Sequence, residues 1–124
     1  DALAAHDVII PVPLHVRRLR ERGFNQAVLW GNVVGKRYGI PVEVNAVLRT
    51  RCTAHQVMLQ GTERAHNVRN AFSVKGLFSL KDATVLLVDD VYTTGATADA
   101  CTGALRRAGA ARVDVLTLAR TMGR

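Results

Sequence analysis

The stretch Val85 to Thr97, VLLVDDVYTTGAT, constrains what this chain can fold into more than any other. It opens on a continuous apolar run, Val85-Leu86-Leu87-Val88. A short run of that kind, rich in β-branched residues, suits a strand covered on both faces, as in a parallel sheet. Two carboxylates, Asp89 and Asp90, follow at its carboxyl end. Then come the small and hydroxylated residues Thr93, Thr94, Gly95, Ala96 and Thr97, which read as a turn. A helix is expected from Ala98 to Ala108, with Gly109 as its stop. Strand, turn and helix in that order predict an α/β fold: a mostly parallel open sheet with helices on both faces.

The chemistry of the turn is that of a phosphate cradle. Successive backbone N–H groups form a concave nest, and the free N–H groups of the helix start add to it. Gly95 lets the backbone approach an anion with no Cβ in the way. Thr93, Thr94 and Thr97 add hydroxyl donors, and Thr97 is also placed to cap the helix. Carboxylates repel phosphate, so Asp89 and Asp90 must face something else. A sugar diol fits, because each hydroxyl can donate to a carboxylate. A phosphate nest beside a diol clamp describes a ribose 5-phosphate site.

Other phosphate-binding patterns do not fit. A Walker loop needs Gly-Lys followed by Ser or Thr, and GxGxxG is also absent. A phosphorylatable receiver carries its acidic pair on the first strand and a lysine downstream, whereas no lysine follows Lys81 here. A buried strand followed by an exposed polar turn of no function accounts poorly for so ordered a series.

At 124 residues the chain is expected to be one domain, 1–124. It has no apolar run of membrane-spanning length and nothing resembling a signal peptide. Cys52 and Cys101 are far apart and in no CxxC, which argues against a disulfide framework or a zinc site. A reduced, cytoplasmic chain is the simplest reading. The net charge is +7. Such a field draws in a polyanionic small molecule or faces nucleic acid. Scattered aromatic residues offer no stacking platform for single strands, so the small molecule is preferred. Solvated helix faces account for part of the charge, Arg106 and Arg107 among it.

Towards the start, Val8-Ile9-Ile10 reads as a short buried strand ended by Pro11 and Pro13. The loop after it leads into Arg17, Arg18, Arg20 and Arg22. On residues alone, a pyrophosphate site at the end of a strand and a basic helix surface are equally good readings. A helix is expected from Gln26 to about Tyr38, with Asn25 as cap and Gly39 and Pro41 as stop. Gly31 and Gly35, four apart, mark close packing on a neighbour, and Trp30 is assigned to the core. A strand is expected over Val42 to Arg49. Thr50 to Gly61 has no clear period, and a helix is expected from Thr62 to Asn70. His55 and His66 have no spacing that argues for a metal or a triad. Val113 to Leu118 reads as the last strand.

VLLVDDVYTTGAT resembles, over all thirteen residues, the motif by which type I phosphoribosyltransferases bind 5-phosphoribosyl 1-pyrophosphate (PRPP). PVPLHVRRLRERGFNQA, from Pro11 to Ala27, is similar to the signature of the ComF family within them. So is the dispersed pattern Arg49, Thr53, Gln56, Leu59, Arg64 and Asn67. The resemblance implies a phosphoribosyltransferase-like core. Asp89 and Asp90 would be the catalytic pair on the ribose, and Thr93, Thr94, Gly95, Ala96 and Thr97 would bind the 5-phosphate. Pro13, Leu14, His15 and Arg17 would bind pyrophosphate. Arg49, Gln56 and Arg64 would belong to a flexible loop that closes over the substrates; for Arg64 a solvated helix face is the competing reading. Mg²⁺ would be bound through PRPP, with no metal site of the protein's own. The partners implied are PRPP, an unknown acceptor, and single-stranded DNA or competence proteins; homo-oligomerisation is compatible with all of these. A non-catalytic PRPP sensor and a competence component that handles single-stranded DNA are the alternatives to a transferase. Members of the family begin with a cysteine-rich zinc-binding segment, and this chain starts almost at the PVP strand, so it is expected to correspond to the second half or so of a typical member.

Overall fold

The computed structural model describes residues 5–13, 20, 23, 25–49, 72–75, 80–92 and 96–120, with 90–92, 96 and 118–120 described by their backbone. Seven elements follow one another: β1 (Val8–Pro11), α1 (Gln26–Tyr38), β2 (Val47–Arg49), β3 (Phe72–Val74), β4 (Thr84–Tyr92), α2 (Ala96–Arg107) and β5 (Arg112–Arg120). β1, β4 and β5 form a parallel sheet in the order β1-β4-β5. β2 and β3 form a separate antiparallel pair, with Arg49 opposite Phe72.

The central strand β4 is apolar on both faces because both are covered. Val85 and Leu87 join Val8, Ile10, Ala100, Cys101, Ala104 and Leu105 in one core, against α2 and the β2–β3 pair. Leu86 and Val88 join Ile9, Ala27 and Ile40 in a second core against α1. The helices therefore lie on opposite faces of the sheet, as the continuous apolar run demanded.

The α1 boundaries follow from local chemistry. Asn25 is extended and accepts the Ala27 N–H at 2.9 Å, which satisfies one of the orphan donors of the helix start. Gly39 ends the helix at φ 68°, and its N–H returns to the Gly35 carbonyl, an αL closure that glycine adopts without strain. Lys36 and Arg37 lie in the last turn, where the helix dipole favours cations. Gly31 and Gly35 are buried, the close packing their spacing announced.

Four expectations are corrected. Trp30 is not core: it is 44 % exposed, beside exposed Leu29 and Val33. α1 seats its small residues Ala27, Gly31 and Gly35 on the sheet, which leaves these larger ones outside. Val42 to Arg49 is not one strand. Val42 bridges Ile9 in parallel, the chain turns at Val44-Asn45, and β2 starts only at Val47. β4 does not stop at Val88 but runs to Tyr92, and β5 runs to Arg120 beside it. α2 begins at Ala96 rather than Ala98, so Thr97 lies in its first turn and is not its cap. It ends at Arg107, so Ala108 lies beyond it and is exposed; Cys101 completes the buried face instead. The segment 62–70, expected as a helix, lies outside the described residues.

At the amino end of the sheet, His6 Nε2 lies 2.7 Å from Asp114 Oδ2, and Arg112 Nε donates to Asp114 Oδ1 at 3.1 Å. The His6 hydrogen bond, helped by Arg112, holds the Asp114 carboxyl below the usual carboxylate range. This cluster ties β5 to the segment before β1. It stands at the opposite end of the strands from Asp89.

Candidate active site

β1 and β4 are in register from Val8–Val85 to Pro11–Val88. One more hydrogen bond, Val12 N–H to the Val88 carbonyl at 2.8 Å, extends the ladder past the end of β1. Pro13 and Asp89 are the residues that come next on the two sides of that bond. The expected pyrophosphate loop thus leaves the sheet beside Asp89, of the expected diol clamp, which is still paired to β5. Both stand at the carboxyl ends of parallel strands, where open α/β sheets bind their ligands. Ala96 and Thr97 open α2 directly after, and the first N–H groups of a helix have no partner within it.

Asp89 is 8 % exposed and stands opposite Thr117 of β5. It belongs to the α2 side of the sheet, since successive strand residues alternate and Val85 and Leu87 face that way. Cys101 of α2 is within its electrostatic reach. Burial pushes that thiol up to about 12, Arg49 pulls it down, and Asp89 pushes it up. Arg49 and Asp89 therefore both act on the one buried sulfur. Asp90 follows in β4.

Arg49 is the last residue of β2. Its Nε donates to the Pro13 carbonyl at 2.9 Å, and its guanidinium carbon lies 4.8 Å from the centre of the Phe72 ring. Asn25 spends its second group in the same place, its Nδ2 donating to the Val12 carbonyl at 3.1 Å. Of the residues singled out in the sequence, Pro13 is joined to Arg49 and follows Val12, whose bond to Val88 sets it beside Asp89; Asp90 follows in β4, and Ala96 and Thr97 open α2. Leu14, His15, Arg17, Gln56, Arg64, Thr93, Thr94 and Gly95 lie outside the described residues. The second hydrogen bond of Asn25 and the nearness of Cys101 had no sequence signal, since both are contacts across many residues.

A thiol with so high a pKa in a packed core is chemically inert. With Cys52 replaced by Ser, Cys101 is expected to react with a disulfide reagent at pH 8 only as fast as the protein unfolds. The check is the labelling rate with and without denaturant; prompt labelling of native protein would show the α2 face to be open.

Comparisons with known proteins identify the family. A family model described as phosphoribosyl transferase domain matches residues 28–124. The chain belongs to that family, as a type I phosphoribosyltransferase domain of the ComF group. It is 40% identical over 116 residues to DNA utilization protein YhgH of Shigella flexneri, covering 94% of this chain and 50% of the relative. It is 39% identical over 117 residues to competence protein F of Haemophilus influenzae, covering 92% of this chain and 50% of that one. The chain thus spans about half the length of the curated relatives it matches. In fold it is similar to the Bacillus subtilis glutamine PRPP amidotransferase solved with ADP and GMP. The TM-score is 0.65 at 23% identity, over 94% of this chain and 24% of that one. No helix among the described residues is long and apolar enough to cross a membrane.

Proposed function

We propose that this domain binds PRPP and, within the whole protein, transfers its phosphoribosyl group to an acceptor with release of pyrophosphate. The observation that carries the reading is the junction of the Val12–Val88 bond. It sets the exit of β1 beside Asp89, and α2 starts at Ala96, shortly after β4 ends at Tyr92. Asp89 and Asp90 accept the two ribose hydroxyls and stabilise positive charge as it develops on the ring. The turn from Thr93 to Thr97 holds the 5-phosphate, and the loop from Pro13 to Arg17 holds the pyrophosphate. The acceptor attacks C1 of the ribose, the C1–O bond breaks, and pyrophosphate leaves with the electron pair. Arg49, Gln56 and Arg64 belong to the part of the chain that covers the site and keeps water from C1.

Among the described residues no three histidine, cysteine or acidic side chains converge as metal ligands. Mg²⁺ would be carried by pyrophosphate oxygens and water, as Mg²⁺ bound with substrate phosphates commonly is. When bound, the ion neutralises charge on the leaving group.

The names of the relatives, DNA utilization and competence protein, favour a role in handling incoming DNA. That role is compatible with PRPP binding as a catalytic or a sensing step. Calorimetric titration of PRPP with and without Mg²⁺ tests the reading. Mg²⁺-dependent binding is expected; its absence overturns the proposal and leaves salt-sensitive DNA binding as the next activity to measure.

A further inference from the structure

α1 is apolar on its outer face as well as its inner one. Ala27, Gly31 and Gly35 are buried on the sheet, while Leu29, Trp30 and Val33 are 50 %, 44 % and 55 % exposed. A helix that covers one sheet has no packing reason for a second apolar face, and a contiguous exposed patch marks a surface that meets something else. The polar residues around it decide what. α1 contains no acidic residue, and its charged side chains, Lys36 and Arg37, are basic and exposed. Gln26, Trp30, Val33 and Arg37 succeed one another at helical spacing, so an indole, an aliphatic side chain and a guanidinium follow one line along the outside of the helix. Trp30 and Arg37 are about 10 Å apart along the axis. The Arg37 guanidinium carbon lies 5.8 Å from the centre of the Tyr38 ring, which steadies the cation at the end of that line.

We propose that the outer face of α1 is a docking surface for single-stranded DNA, an inference that rests on the DNA-handling reading above and not on the PRPP site. The chemistry of the partner follows from the face. It has to present flat apolar groups to Trp30 and negative charge to Lys36 and Arg37 at the same time. An unpaired strand does so at every nucleotide, because each base has a π-face and each linkage a phosphate. Aromatic residues are scarce in this chain, so one base stacks on Trp30, its neighbours pass over Leu29 and Val33, and phosphates meet Lys36 and Arg37. A duplex does not fit, since its bases are stacked on one another and closed to the indole. A second copy would bring only basic charges to the rim of the face, with no acidic residue of α1 to meet them.

Trp30 is the only tryptophan of the chain, so its fluorescence reports on this face alone. Titration with oligo(dT) is expected to quench it. Affinities come from the anisotropy of dye-labelled oligo(dT), measured over a series of salt concentrations. Trp30→Leu keeps an apolar side chain and loses the stacking face. It is expected to weaken binding on the order of tenfold, with the salt dependence unchanged. Arg37→Gln is expected to lower the slope of log affinity against log salt by about 0.7, the share of one phosphate contact in a single strand. Both side chains are exposed, so the melting midpoint should stay at its wild-type value. A labelled strand that binds without quenching Trp30, or binds Trp30→Leu as well as wild type, overturns this site and leaves the DNA reading standing. Equal affinity for a duplex of the same length also overturns it, in favour of a general basic surface. Sedimentation of the wild type as a dimer and of Trp30→Leu as a monomer would assign the face to a second copy instead. A wild-type protein that does not bind the strand even at low salt overturns the DNA reading and this inference together, and leaves the PRPP titration as a separate result.

Discussion

Replacing Asp89 and Asp90 together with asparagine is expected to weaken PRPP by at least about 100-fold, since hydrogen bonds to a charged group contribute about 1.5–3 kcal/mol each. Ribose 5-phosphate should weaken alongside it. Pyrophosphate should bind as well as before or somewhat better, because two negative charges have left its neighbourhood. The reasoning starts from the residue type. A carboxylate only accepts, and it offers both oxygens to the two hydroxyls of a diol; an amide offers one oxygen and turns a donor towards the sugar. Asp89 is almost fully buried, and burial strengthens such interactions once the ligand excludes water. Asparagine is near in shape, so the melting midpoint separates lost binding from lost fold. PRPP affinity unchanged in the double variant would remove the diol assignment.

Part of this organisation was open to reading in the sequence, and the reason is range. The α1 boundaries depend on Asn25 and Gly39, residues that act on backbone groups one to four positions away. The double cover of β4 is written in Val85 to Val88, because apolar residues on both sides of a strand have to be buried on both. The length of β4 was not legible. The apolar run stops at Val88, but β5 runs alongside and supplies ladder partners as far as Tyr92. Trp30 shows the limit of composition: a large aromatic residue suggests core, yet the contact face of α1 was taken by its smallest residues. The place of Asp89 and Asp90 directly after the buried run of the central strand was legible from one contiguous motif. The engagement of Pro13 by Arg49 spans 36 residues, and no local pattern encodes it.

The same close approach of α1 sets the second large effect. Gly35→Ala is expected to destabilise the protein by about 1–3 kcal/mol, in the range of core overpacking, while Gly31→Ala should be neutral or slightly stabilising. A Cβ at Gly35 would meet Val42 Cγ2 at 2.6 Å and the Ile40 carbonyl oxygen at 2.7 Å. Neither neighbour is free to retreat. The Ile40 N–H closes the helix end on the Gly35 carbonyl at 3.0 Å, and residues 41–43 are laced to β1. There the Ile9 N–H donates to Pro41 O and the Glu43 N–H to Ile9 O, both at 2.9 Å. Making room means moving α1 off the sheet or breaking that lacing. A Cβ at Gly31 would lie 3.4 Å from Ile9 Cγ2 and 3.8 Å from Pro11 and Val42, ordinary packing distances. There the helix propensity of alanine, up to about 1 kcal/mol over glycine, remains as a net gain; at Gly35 the same gain is outweighed. Chemical denaturation of both variants provides the measurement. Equal stability of the two would mean that the 40–43 segment can withdraw from α1. Because that segment hydrogen-bonds to β1, a withdrawal would also be felt at the exit of β1, where Val12 and Pro13 leave the sheet.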